Sequence, residues 1–153
     1  MSTSFRLAID ADADALISMM RALYDHDGTP FNEGSHRAAL RQLMSDERFG
    51  GVWLIEQDGD ETVGYLVLTF GFSLEFKGRD AFLDELYLRE DFRGRGLGQE
   101  AIAFAVGQCE RLGVRALHLE VERSNTRAQA AYRKAGFTDH DRYLLTKWIA
   151  DAD

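Results

Sequence analysis

Gly94, Gly96 and Gly98 take alternate positions in the stretch EDFRGRGLGQEAI, residues 90–102, after an apolar run and ahead of residues spaced as a helix. Each glycine at a helix start costs about 1 kcal/mol relative to alanine. Arg93 and Arg95 stand at the positive end of the helix dipole, where an exposed cation is disfavoured by about 0.3 to 1 kcal/mol. An anion reverses both signs. The unpaired amides of Arg95 to Gly98 become donors, the bare backbone lets oxygens approach, and the arginines become counter-charges. The alternative is a flexible turn whose arginines are neutralised by Glu90 and Asp91. Neither standard nucleotide signature fits, because Gln99 stands where G-x-G-x-x-G needs glycine and no G-x-x-x-x-G-K-[ST] occurs.

Just upstream, Asp84 and Glu85 interrupt the apolar strand pattern DAFLDELYL. A carboxylate on a strand can serve as a general base or attract a cation. Adjacent residues of a regular strand face opposite sides, so only one should enter a given cleft unless a bulge intervenes. The alternative for either is a solvated charge at a strand end.

The elements that would position these groups can be read along the chain. FRLAI (5–9) alternates as a strand, and Asp10 or Asp12 can cap a helix bearing Leu16, Met19, Met20 and Leu23. SHRAALRQLMSD (35–46) reads as a second helix with Ser35 as its cap. GVWLIE and ETVGYLVLTF form an antiparallel pair around Asp58-Gly59. Lys77-Gly78 suggests another turn before the strand at Asp80 to Leu88. Ile102, Ala105, Val106, Cys109 and Leu112 share one helical face, closed by Gly113. RALHLEV (115–121) reads as a strand, SNTRAQAAYRKAG as a helix capped by Ser124 or Asn125, and RYLLTKWI (142–149) as a last strand. On the last helix Ala128, Ala131, Tyr132 and Ala135 share a stripe, either a groove beside one phenol or a core tyrosine between alanines.

The chain's 153 residues suit one domain, expected to span 1–153. A net charge of −8 disfavours a nucleic-acid or anionic-lipid face and favours a cationic small molecule, although acidity also serves solubility. The single cysteine, Cys109, has no partner at disulfide or metal-ligand spacing, so no metal is expected. Its place on an apolar stripe leaves a covalent thioester route without support. With neither a leader nor a membrane span legible, the expectation is a cytoplasmic protein.

The pattern Arg93-x-x-Gly96-x-Gly98 after a strand, together with NTRAQAAYRKAGF a strand later, resembles the GNAT superfamily of acetyl-coenzyme A dependent N-acetyltransferases. LDELYLREDFRGRGLG is similar to that family's fourth strand and pyrophosphate loop. LHLEVERSNTRAQAAYRKAGF is similar to its fifth strand and following helix, at Asn125, Ala128, Tyr132, Gly136 and Phe137. The resemblance covers nearly the whole chain and implies an α/β fold with a mixed, mostly antiparallel sheet of six to seven strands and about four helices.

It further implies acetyl-CoA as cosubstrate. The backbone of Arg93, Gly94, Arg95, Gly96, Leu97 and Gly98 would hold the pyrophosphate. Leu86, Tyr87 and Leu88 would pair with the pantetheine arm, and Asn125 beside Ala128 would touch that arm from the opposite wall. Tyr132 would protonate the departing thiolate. Glu85 is the base that the resemblance favours, with Asp84 close behind, and a strand amide near Leu86 would stabilise the oxyanion. The segments YDHDGTPFNE (24–33) and FSLEFKGRD (72–80) would wall the acceptor site. Their carboxylates Asp25, Asp27, Glu33 and Glu75 suit a small cationic amine, or simply the surface. His26 and His36 are expected to be exposed. A protein lysine or N-terminus is the alternative acceptor, a non-catalytic coenzyme sensor is a third reading, and a homodimer is left open.

Overall fold

Strand β1 (Thr3–Leu7) pairs antiparallel with β2 (Gly50–Gln57), β2 with β3 (Glu61–Ser73), and β3 with β4 (Gly78–Leu88); β5 (Ala116–His118) joins β4 in parallel. The order in this mixed sheet is therefore β1-β2-β3-β4-β5. The computed structural model describes residues 2–150. They fall into two compact units, Met1–Glu120 and Val121–Asp153. The first carries the sheet with helices α1 (Ala13–Asp27), α2 (Glu33–Ser45) and α3 (Leu97–Arg111), and the second carries α4 (Thr126–Lys134).

Both faces of the sheet are covered, which explains why every residue of β2 is buried and why its run GGVWLIEQ lacks polar alternation. On one face, Val52, Leu54, Tyr65 and Val67 pack with Leu16, Ile17, Met19, Met20 and Leu40 of α1 and α2. On the other, Phe5 stacks on Phe104 of α3 at 4.4 Å between ring centroids, and Trp53 meets the same ring edge-on at 5.5 Å. Cys109 is buried on α3, and that burial raises its thiol above the ordinary range, opposite to what an activated nucleophile needs.

The expected helices form, with shifted ends. Asn32, not Ser35, caps α2, its side chain accepting from the Ser35 amide at 3.0 Å, since the chain is still extended at Asn32. Asp12 stands at the N-cap of α1, but its side chain makes no cap bond to that helix. It ends a 3-10 turn (Asp10–Asp12) and accepts from the Ile9 amide at 2.8 Å.

The strand count is lower than expected: the described residues form five strands, not six or seven. β5 covers three residues instead of Arg115 to Val121, and Arg142 to Ile149 form no strand; Tyr143, Leu144, Leu145, Trp148 and Ile149 are exposed. Alternating apolar residues confer a propensity to pair, but the ladder itself depends on a partner edge, which propensity does not supply.

Candidate active site

The register of β3 with β4 runs Gly71↔Asp80, Phe70↔Ala81, Thr69↔Phe82 and Leu68↔Leu83, then resumes at Val67↔Glu85. Asp84 is the extra residue of a β-bulge. The bulge turns Glu85 to the face shared with Val67 and Tyr65, under α1 and α2, while Leu83 stays opposite Leu68 on the α3 side. The two adjacent carboxylates thus escape strict alternation.

Glu85 is held from two elements. Tyr65 on β3, fully buried, donates its hydroxyl to Glu85 Oε1 at 2.7 Å, and Tyr24 on α1 donates to Oε2. Burial pushes the Glu85 carboxyl above the usual glutamate range, against the two phenols, which stabilise the anion; nearby Asp84 raises it further and His36 lowers it. Burial and then the charge and hydrogen bond of Glu85 drive both phenols upward, so they remain protonated donors. Asp84 reaches solvent, yet desolvation by the surrounding walls raises its carboxyl as well.

Neither Tyr24 nor Tyr65 was singled out as a ligand of Glu85 by sequence, because their convergence depends on the β3–β4 register and the docking of α1. Tyr24, the first residue of the segment expected to wall the acceptor site, lies in the last turn of α1. His36, expected to be exposed, is partly buried, edge-on to Tyr24 at 5.0 Å and stacked on Phe31 at 4.7 Å. Glu33 is not a free carboxylate: Arg21 pairs with it at 2.7 Å.

Beyond β4 the chain makes a 3-10 turn (Glu90–Phe92) and enters the glycine-rich stretch. Gly94 and Gly96 adopt left-handed φ of 75° and 83°, and Gly96 is the N-cap of α3. A Cβ built on Gly94, Gly96 or Gly98 would meet nothing within 4 Å, so the space before these amides is open and bare backbone faces it. Among the described residues no backbone carbonyl takes the amides of Gly94 to Gln99. These donors, at the positive end of the 15-residue helix α3, fit a phosphate group. Arg95 lies over the Phe92 ring at 5.1 Å. Leu86, Tyr87 and Leu88 lie on β4 between the bulge and this turn.

In the second unit, Asn125 rather than Ser124 caps α4, its side chain accepting from the Ala128 amide at 3.1 Å. Tyr132 is partly buried, edge-on to Phe137 at 5.9 Å, and its phenol is pushed up by burial.

The Acetyltransferase (GNAT) family matches residues 17–137. The chain belongs to that family. It is an acyltransferase of the N-acetyltransferase kind. Over 140 residues it is 29% identical to the peptidyl-lysine N-acetyltransferase YjaB of Salmonella typhimurium, covering 90% of this chain and 84% of that protein. It is 27% identical over 141 residues to an L-methionine sulfoximine/L-methionine sulfone acetyltransferase of Pseudomonas paraeruginosa, with 90% and 81% covered. An integron cassette protein from the mobile metagenome of Cole Harbour Salt Marsh superposes with a TM-score of 0.83 at 33% identity, over 96% of this chain and 91% of that one. The fold is thereby that of the GNAT acetyltransferases.

Proposed function

We propose that the protein moves the acetyl group of acetyl-CoA to a primary amine of a small cationic molecule, by direct attack in a ternary complex. The observation that carries this reading is Glu85: a half-buried carboxylate whose pKa is raised by desolvation, placed by a bulge on the strand that leads into an open glycine-rich helix start. In that reading the amides of Gly94 to Gly98 hold the pyrophosphate, the expected Arg93 amide being spent on the Glu90 carbonyl at 3.2 Å; the backbone of Leu86 to Leu88 pairs with the pantetheine arm, and Asn125 and Ala128 flank it.

An amine with a pKa of about 10.4 is protonated at pH 7, which leaves a deficit of about 4 to 5 kcal/mol before it can attack. Glu85, directly or through one water, takes that proton, and its raised pKa brings it nearer the neutral range where a base works best. The freed nitrogen forms its bond to the thioester carbonyl carbon, and an amide near Leu86 receives the negative oxygen. As the C–S bond breaks, the nitrogen loses its second proton and Tyr132 gives one to the sulfur; the products are the amide, the free thiol and one released proton. Asp84, at the solvent side of the bulge, draws the cation toward Glu85, in keeping with the net charge of −8. The protein has no nucleic-acid or membrane partner in this reading, and acts in the cytoplasm; among the described residues no helix is long and apolar enough to cross a membrane.

Free thiol released from acetyl-CoA, with a blank lacking acceptor, tests the proposal across polyamines, aminoglycosides, arylamines, amino acids and lysine peptides. Turnover with a free amine supports it. Turnover confined to peptides moves the acceptor to protein lysine, the reading favoured by the similarity to YjaB. Coenzyme binding without turnover across the panel would point to an acceptor of another class or to the sensor reading.

A further inference from the structure

Resting on the reading of Glu85 as the base, a second layer of the site can be assigned. We propose that Tyr24 and Tyr65 are positioning residues for Glu85: their hydroxyls clamp its two oxygens and set the pH at which it can accept the proton of the incoming amine. The clamp is built from separate parts of the fold. Tyr65 comes from β3, 20 residues away along the chain, and Tyr24 from α1, 61 residues away.

Each partner needs the other. A fully buried phenol lacking an acceptor, or a half-buried carboxylate lacking donors, is costly, and here the donors and acceptors match oxygen for oxygen. The carboxylate cannot rotate without breaking a bond to one tyrosine, so its remaining lone pairs keep one direction. Among the described residues, the charged and hydrogen-bonding groups bearing on this cluster are Tyr24 and Asp27 from α1, His36 from α2, Tyr65 from β3 and Asp84 from β4, with the Tyr87 ring of β4 6.0 Å from that of Tyr65. Of these, the phenols and His36 favour ionised Glu85, while Asp84 opposes it. Removing one hydroxyl leaves the desolvation in place and takes away a donor, so Glu85 must hold its proton to higher pH.

The clamp can be read without knowing the acceptor, by titrating the side-chain carboxyl resonances in 13C NMR and assigning Glu85 by the signal lost in Glu85→Gln. Tyr24→Phe and Tyr65→Phe should each move the Glu85 midpoint up by about one pH unit, since a hydrogen bond to a charged group is of that size. Where an acceptor is turned over, kcat/KM on the acid side of the profile should fall about tenfold, and the KM for coenzyme should stay unchanged. Tyr24 is only partly buried, so Tyr24→Phe carries the test should Tyr65→Phe fail to fold. A Glu85 midpoint equal to wild type in a folded Tyr24→Phe protein overturns the clamp. If instead the midpoints shift but Glu85→Gln leaves the pH-rate profile intact, the clamp stands and the assignment of the base falls.

Discussion

Arg93 donates from Nε to the carbonyl oxygen of Leu88 at 2.9 Å, tying the glycine-rich turn to the end of β4. Its guanidinium also lies over the Tyr87 ring at 5.7 Å from the centroid. An arginine that invites reading as a phosphate counter-charge is therefore also a strut, one that fixes the amides of the turn relative to the strand proposed to pair with pantetheine. Arg93→Ala should weaken coenzyme binding by about three- to tenfold, a modest loss because the side chain is exposed. Arg93→Lys should not restore it, since an ammonium lacks the planar Nε–H. Isothermal titration with CoA measures both.

Gly96 carries a left-handed φ of 83° at the head of α3. Gly96→Val adds strain of about 1 to 3 kcal/mol there and puts a branched side chain in front of the open amides. The CoA dissociation constant should rise more than tenfold. Gly107→Ala, in the exposed middle of the same helix with nothing within 4 Å of its new Cβ, should stabilise the protein by up to about 1 kcal/mol and leave CoA binding unchanged.

Asp84 and Tyr132 should separate in steady-state kinetics. Asp84→Asn is expected to raise KM for a cationic acceptor severalfold, with the KM for coenzyme unmoved, and added salt should shrink the difference. Tyr132→Phe should lower kcat by about 100-fold, the scale of a lost general acid, and leave both KM values close to wild type. An unchanged kcat would strip Tyr132 of the acid role.

Away from the site, Arg6 clasps Asp12 through its two terminal guanidinium nitrogens at 3.0 Å each and reaches Glu56 through Nε at 3.2 Å. The hydrogen bonds from Arg6, opposed by burial and helped by the Ile9 amide, hold the Asp12 carboxyl below its ordinary 3.8. A lowered folded pKa means that this stability is complete above the unfolded value and is lost as pH falls through the folded one. Asp12→Asn should therefore cost about 1 kcal/mol at neutral pH and flatten the acid limb of thermal stability below pH 3.8. Melting temperatures of both proteins between pH 2 and 7 provide the check.

The glycine turn, the last helix and the two carboxylates were legible from sequence because their peculiarities are local: three alternate glycines, a cap residue, a charge pair breaking an apolar run. The tyrosine clamp was not, since nothing around Tyr24 or Tyr65 hints at a shared acceptor until β3, β4 and α1 are docked. The bulge was named only as a condition for both carboxylates to turn toward one cleft, and the ladder supplies it at Asp84. The apolar run at 142–149 misled for the converse reason: its strand character is intrinsic, and pairing is not.

The bulge also acts as a phase step in β4. Leu83 and Leu86 are an odd number of positions apart, and a regular strand would send one of them out of the α3 layer; the extra residue keeps both on it while Glu85 and Tyr87 point the other way. Inserting or deleting one residue between Leu83 and Glu85 would therefore act like a frameshift, exchanging carboxylate for leucine on each face. The strand's tolerance to length change, a property usually assigned to loops, is thus confined here by the parity of a single residue.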